Sequence, residues 1–103
     1  MPTVELISDA ECPNVDDART QLNRAFAEAG LSPLWTEWRS DDVTSPAHVR
    51  GYGSPTILVD GRDVANGAPG VAACCRVYAR EDGSLRGVPD VEVIAMALRA
   101  ARA

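Results

Sequence analysis

Basic residues are scarce in this sequence. It contains 15 acidic residues against 10 basic ones, and all ten basic residues are arginine, which leaves a net charge of −5. Sequence-independent binding to nucleic acid or to an anionic membrane surface depends on a basic patch. No segment of the chain concentrates arginine in that way. The composition therefore argues against a nucleic-acid partner and against adsorption to a membrane.

Long apolar runs are also missing. No run approaches the roughly 20 residues of a membrane-spanning helix, and Met1-Pro2-Thr3 leads into strand-like sequence without the basic and apolar regions of a signal peptide. We therefore expect no membrane insertion and a cytoplasmic location. In a reducing compartment, three cysteines, an odd number, are expected to be reduced, metal-binding or catalytic rather than part of a disulfide framework.

Aromatic residues make up only 5% of the chain, so the core must be built mainly from Val, Leu, Ile and Ala. The few large packing units are Phe26, Trp35 and Trp38. A length of 103 residues and a hydrophobic content of 46% suit one compact domain over residues 1–103 and leave no room for a second core.

Hydrophobic periodicity predicts alternating strands and helices. An apolar helical stripe runs from Val15 to Ala29, with Asn14 as the expected N-cap and Gly30 as the expected stop. Asp60-Gly61 is a tight-hairpin signal. The other predicted elements are strands at 4–7, 34–38, 56–59 and 62–64, a strand or extended segment at 76–80, a short helix near 46–50, and a last helix starting at 89–90. This order predicts an α/β, thioredoxin-like fold with a mixed sheet of about four strands flanked by helices.

A proline directly before the third strand supports this layout. Pro55 follows a small residue, Ser54, in a Gly-rich turn, and the arrangement resembles the cis-proline loop that faces the active thiol in thioredoxin-like folds. We therefore predict a cis Ser54–Pro55 bond, although an ordinary trans turn is the alternative. In this fold Cys12 would lie near Ser54-Pro55 at the start of the first helix, whose positive end favours the thiolate.

The segment around Cys12 lacks a second thiol. Disulfide oxidoreductases of this fold use Cys-x-x-Cys, in which the second thiol resolves the mixed disulfide, and here Val15 occupies that position. Dithiol chemistry would have to recruit Cys74 or Cys75 from far along the chain. This departure lowers the expectation of a general disulfide reductase.

Cys74 and Cys75 are adjacent, which makes them a poor disulfide pair because ring closure across one peptide bond strains the S–S geometry. They are better suited to bind one soft cation together, provided that the backbone there is irregular. Gly67, Pro69 and Gly70 just upstream are compatible with such a backbone. The alternative for any of the three cysteines is a small buried packing residue.

The number of ligands narrows the choice of metal. A structural zinc site requires four ligands, and three thiols would need His48, the single histidine, to complete it. A lone histidine beside an acidic loop is more often exposed or capping. Hg(II), or alternatively Cu(I), accepts two or three sulfur ligands, so these ions fit better as cargo. We expect no organic cofactor.

Three stretches resemble a family of small thioredoxin-like bacterial proteins that are often labelled thioredoxin-family or alkylmercury lyase. They are Ile7 to Pro13, Gly53 to Asp63, and Cys75 to Tyr78 followed by Gly87 and Pro89. With the cysteine doublet, the chain is similar to the MerH-type accessory proteins of actinobacterial mercury-resistance operons, which are taken to traffic Hg(II). The resemblance implies that Cys74 and Cys75 bind the ion with Cys12 as a third thiol, and that a mercuric transporter or mercuric reductase is the partner.

The leading hypothesis is therefore a cytoplasmic Hg(II)-trafficking protein rather than an enzyme. The alternative is a thiol enzyme that uses Cys12, either a thiol-disulfide oxidoreductase or an organomercurial lyase. A lyase also needs an acid to protonate the leaving carbon, for which Asp9, Glu11 or Asp63 could be proposed. A third hypothesis is a thioredoxin-like domain in which the cysteines are only packing residues.

Overall fold

The computed structural model describes residues 2–9, 12–40, 42–50, 52–65, 78–79 and 85–102. The Cys74-Cys75 doublet, Glu11, residues 66–70 of the predicted loop, and parts of the predicted 76–80 segment lie outside these ranges. The elements of the described chain are β1 (Val4–Ser8), α1 (Val15–Ala29), β2 (Thr36–Arg39), a 3-10 turn (Ala47–Val49), β3 (Thr56–Val59), β4 (Arg62–Asp63), β5 (Tyr78–Ala79), β6 (Leu85–Arg86) and α2 (Val91–Arg102).

These elements form an α/β structure around a mixed sheet of four strands, as the sequence predicts. The strand order is β2-β1-β3-β4. Strand β1 is parallel to β2 and antiparallel to β3, and β4 continues from β3 as an antiparallel hairpin. Strands β5 and β6 form a separate antiparallel pair. Every residue of the central strand β1 is buried, because both faces of the sheet are covered there.

Both helices pack on one face of the sheet. Alternate residues of β1 and β3 point to this face, and the pairing sets Leu6 opposite Ile57. The apolar stripes of the helices complete the core, with Phe26 of α1 stacked on Trp35 at a ring-centroid distance of 6.1 Å. The fully buried helix residues in this core are Ala18, Leu22, Ala25, Ile94, Ala95 and Leu98. In the part of the chain that the structure describes, both helices therefore flank the same side of the sheet.

The opposite face carries a smaller apolar cluster. Ile7 and Leu58 are fully buried there against Val49 of the 3-10 turn, with Trp38 and Tyr52 packed around them. The predicted short helix near 46–50 is therefore present as one 3-10 turn. This turn covers the second face of the sheet.

The predicted helix and turn boundaries follow from local backbone chemistry. Gly30 ends α1 in the left-handed conformation with φ of 72°, and its N–H bonds back to Ala27. At the β3–β4 hairpin, Asp60 and Gly61 both have positive φ, 51° and 80°, as a type I′ turn requires. The last helix begins at Val91, directly after Pro89-Asp90.

A surface ion pair fastens α1 to the edge strand β2. Arg19 Nε and Nη2 donate to the two carboxylate oxygens of Glu37 at 2.9 and 2.7 Å, and Arg19 Nη1 donates to Asp16 at 2.7 Å. The hydrogen bonds from Arg19 hold the pKa of Glu37 below its usual range. The same contacts raise the pKa of Arg19, so both groups are charged at neutral pH.

Within the described residues, neither helix is long and apolar enough to cross a membrane.

Candidate functional site

Cys12 is the one predicted cysteine ligand that lies in the described part of the chain. It is a free cysteine in the loop between β1 and α1, three residues before the helix begins, and it is 9% exposed. The position agrees with the prediction that this thiol stands at the start of the first helix. Cys74 and Cys75 lie outside the described residues, so their role as ligands stays a prediction.

One hydrogen bond lies within the Cys12 loop, and a second connects this loop to the turn before β3. The Cys12 N–H donates to the carbonyl of Asp9 at 3.4 Å, and the Asp9 N–H donates to Ser54 Oγ at 3.1 Å. Ser54 is 1% exposed, so its hydroxyl is a buried anchor. The structure therefore connects Cys12 to Ser54–Pro55 as the sequence predicts.

The Ser54–Pro55 turn is itself held from two directions. Its peptide bond is cis, which confirms the prediction. Thr56 Oγ1 donates to the carbonyl of Gly53 at 2.6 Å, and the Tyr78 hydroxyl donates to the carbonyl of Pro55. Both bonds are buried. The turn is thus the point where the β1–α1 loop, β3 and β5 meet.

The position of Asn14 agrees with the prediction. It occupies the N-cap position of α1, but its side chain makes no capping hydrogen bond. The side chain instead lies against Gly87 in the segment that leads from β6 into α2. The segment before α2 therefore also contacts the Cys12 loop, in addition to the contact that Ser54 makes.

The acidic residues proposed to protonate a leaving carbon in a lyase lie in different parts of the chain. Asp9 lies in the Cys12 loop, with its N–H on Ser54 Oγ. Asp63 is buried on β4, where its carboxylate accepts the N–H of Ala65 at 2.9 Å. This hydrogen bond lets Asp63 stabilise the backbone just after β4. Glu11 lies outside the described residues.

Glu5 and His48 form a polar contact that the sequence reasoning missed. Glu5 is 6% exposed on the second face of the sheet, where its Oε2 accepts the indole N–H of Trp38 at 2.8 Å and lies 2.8 Å from His48 Nε2. The His48 side chain is 54% exposed. The available signal was a charged residue inside the apolar run Val4 to Ile7, since a buried charge requires a partner.

This contact bears on the metal hypotheses. His48 is engaged by a carboxylate on the second face of the sheet, so its contact gives no support to the zinc alternative in which it joins the thiols. Among the described residues, no group of three or more His, Cys, Asp or Glu side chains is arranged to hold a metal ion. A site that uses the doublet would involve residues beyond that part of the chain.

A cleft of about 410 Å³ opens between the β3–β4 hairpin and the end of α2. Its walls are Val59, Asp60, Arg62, Asp63, Val64, Ala97, Ala100 and Ala101. None of these residues belongs to the Cys12 loop or the Ser54–Pro55 turn, so the cleft is separate from the thiol site.

Comparisons with family models, with curated proteins and with solved structures give no match for this chain.

Proposed function

We propose that the chain is a thioredoxin-like domain. The element order β1, α1, β2, 3-10 turn, β3–β4 hairpin and α2 follows the thioredoxin-like layout, with a short turn in the place of the second helix. The parallel β1–β2 pair and the antiparallel β3 and β4 support this assignment. In such a fold, the loop after β1 and the turn before β3 lie at the same end of the sheet, because β1 and β3 are antiparallel neighbours.

The function we propose is the binding and trafficking of Hg(II) in mercury resistance, with Cys74 and Cys75 as the capture pair and Cys12 as the third thiol. One observation carries this proposal. The Ser54–Pro55 turn receives a hydrogen bond from the Cys12 loop, through Asp9, and another from the Tyr78 hydroxyl. The loop after β1 and strand β5, which precedes β6, are therefore both hydrogen-bonded to the same turn.

Chain connectivity relates this anchor to the doublet. Cys75 precedes Tyr78 by three residues, and three residues of extended chain span at most about 11 Å. A residue that close in sequence to Tyr78 is within reach of the end of the sheet that carries Cys12. This supports a shared site of two or three sulfur atoms.

The chemistry of such a site suits transfer. Thiolate is the soft ligand that Hg(II) prefers, and adjacency disfavours a competing disulfide between Cys74 and Cys75. A thiolate from Cys12 would add to the bound ion before another thiolate leaves, so the ion changes ligands without a change in its oxidation state. Cu(I) is the competing cargo, because it accepts the same sulfur ligands.

The proposed setting is the cytoplasm, where thiols stay reduced. A mercuric transporter that delivers Hg(II), or a mercuric reductase that consumes it, would be the partner. Either partner would exchange the ion through its own thiols. The net charge of −5 would favour a partner with a basic docking surface.

Native mass spectrometry tests the binding proposal directly. We expect one Hg(II) per chain in the presence of a competing small thiol, and loss of that ion in the double variant Cys74→Ser, Cys75→Ser. X-ray absorption should then give three sulfur neighbours in the wild type and two in Cys12→Ser. Equal retention by the wild type and the double variant would contradict the proposal.

A second candidate is a thiol enzyme that uses Cys12 as nucleophile, as a disulfide oxidoreductase or an organomercurial lyase. The position of the free Cys12 in the loop before α1, connected through Asp9 to the cis Ser54–Pro55 turn, favours it. A thiol-disulfide exchange assay and an organomercurial cleavage assay, each with Cys12→Ser as control, separate turnover from binding. Turnover that disappears in Cys12→Ser would replace the trafficking proposal.

A further inference from the structure

The side chain of Asn14, at the end of the Cys12 loop, packs against the backbone of Gly87. A Cβ built on Gly87 would lie 2.2 Å from Asn14 Nδ2 and 2.9 Å from its Oδ1. Non-bonded carbon and nitrogen atoms do not approach to 2.2 Å. Asn14 therefore occupies the space that any other residue at position 87 would fill with its side chain.

The two partners differ in how firmly they are held. Gly87 is followed by Val88 and Pro89, which are buried, and then by α2, which is part of the main core. Asn14 has no capping hydrogen bond that holds its side chain to α1. Of the two, the side chain of Asn14 is the one that would move if the space beside Gly87 were lost.

This contact and the Asp9–Ser54 hydrogen bond lie on either side of Cys12. Asp9 precedes the cysteine by three residues and Asn14 follows it by two. Cys12 is 9% exposed between these points. The short loop is therefore attached at both ends, on one side to the turn before β3 and on the other to the segment before α2.

We propose that Gly87 is a positioning residue for Cys12. Its missing Cβ provides the place in which Asn14 packs, and the packed Asn14 holds in place the backbone that follows Cys12. The consequence for metal transfer rests on the proposed function: loss of the Asn14–Gly87 contact would free the Cys12 thiol to move. This contact would then set how fast the third thiol joins or releases the ion.

The reactivity of Cys12 tests the positioning role without any metal. In a Cys74→Ser, Cys75→Ser background, Cys12 is the only thiol, and the rate of iodoacetamide labelling reports how accessible its sulfur atom is. We expect Gly87→Ala and Asn14→Ala each to raise the labelling rate by about tenfold, equivalent to ~1.4 kcal/mol. The double variant Gly87→Ala, Asn14→Ala should label no faster than Asn14→Ala alone, because the clash needs both side chains.

Gly61→Ala is the matched control. Gly61 has a φ of 80° and open space around a built Cβ, so alanine there strains the backbone of the hairpin without any contact with Asn14. It should lower stability while leaving Cys12 labelling within about twofold of the parent once global unfolding is accounted for. Unchanged labelling in Gly87→Ala, additive rates in the double variant, or an equal increase in Gly61→Ala would each overturn the proposal.

A metal measurement separates this proposal from the proposed function. In the chain with all three cysteines, stopped-flow transfer of Hg(II) to a small dithiol should be faster in Gly87→Ala than in the wild type. A wild type that binds no Hg(II) would refute the trafficking function and leave the labelling result intact. Normal binding with labelling that Gly87→Ala does not change would refute only the positioning role.

Discussion

Glu5 and His48 meet across the second face of the sheet, with His48 Nε2 2.8 Å from Glu5 Oε2. The carboxylate comes from the central strand β1 and the imidazole from the 3-10 turn at Ala47–Val49. The contact therefore fastens the segment that covers this face to the middle of the sheet.

Truncation of Glu5 should be costly because the site is almost fully buried. Glu5→Ala would leave the indole N–H of Trp38 without its acceptor and would open a small cavity. We expect a loss of about 1–3 kcal/mol in the free energy of unfolding, measured by urea denaturation with tryptophan fluorescence. His48→Ala, at a half-exposed side chain, is the control and should lose less. Equal losses in the two variants would show that the imidazole contact dominates.

Removal of the Tyr78 hydroxyl should release β5 from the Ser54–Pro55 turn. Tyr78→Phe keeps the buried ring and deletes the donor to the Pro55 carbonyl, so we expect a loss of about 1–2 kcal/mol in the free energy of unfolding. In Hg(II)-loaded protein the average number of sulfur neighbours should fall from three toward two. Tyr52→Phe, at the other tyrosine, is the control. Three sulfur neighbours in Tyr78→Phe would mean that the hydroxyl is not needed to assemble the site.

Loss of the Ser54 hydroxyl should loosen the Cys12 loop. Ser54→Ala removes the acceptor of the Asp9 N–H in a buried setting, and the unpaired N–H should cost about 1–3 kcal/mol. Faster alkylation of Cys12 under native conditions is the specific readout. Ser32→Ala, at an exposed serine, should change neither stability nor alkylation. Unchanged alkylation in Ser54→Ala would disprove the anchoring role of this bond.

The Arg19–Glu37 ion pair should make the free energy of unfolding depend on pH in the acid range. Because Arg19 lowers the pKa of Glu37 in the folded state, the pair stabilises the fold fully above the ordinary glutamate pKa of about 4.3. The contribution is lost as the pH falls through the lower folded value. Both side chains are more than one-third exposed, so solvent screening limits the effect to about 1 kcal/mol at most.

Urea unfolding as a function of pH measures this contribution. Between neutral pH and pH 3, stability should fall more steeply in the wild type than in Glu37→Gln, and high salt should reduce the difference. Glu92→Gln is the control, because Glu92 lies 3.5 Å from Arg99 on an exposed part of α2. Parallel pH profiles for the wild type and Glu37→Gln would contradict the prediction.

Several elements could be predicted because their signals are local. The apolar stripe of α1 ends at Gly30, whose left-handed backbone stops the helix, and Asp60-Gly61 adopts the positive φ values of a tight hairpin. The N-cap position of Asn14 was also predicted and is confirmed, but its side chain packs on Gly87 and makes no capping hydrogen bond. That contact joins residues far apart in sequence, so no local pattern could reveal it.

The candidate site likewise combines features that the sequence predicts with features that only the tertiary structure reveals. The sequence by itself determined which thiols exist, that Val15 replaces a resolving cysteine, and that Cys12 precedes a helix, because residue identity and helical periodicity are local properties. Only the tertiary structure decided that Ser54 and Tyr78 anchor one turn beside the Cys12 loop, and that Glu5 is buried against His48. Those relationships depend on strand order and register, which bring distant segments together and determine which polar groups lose contact with water.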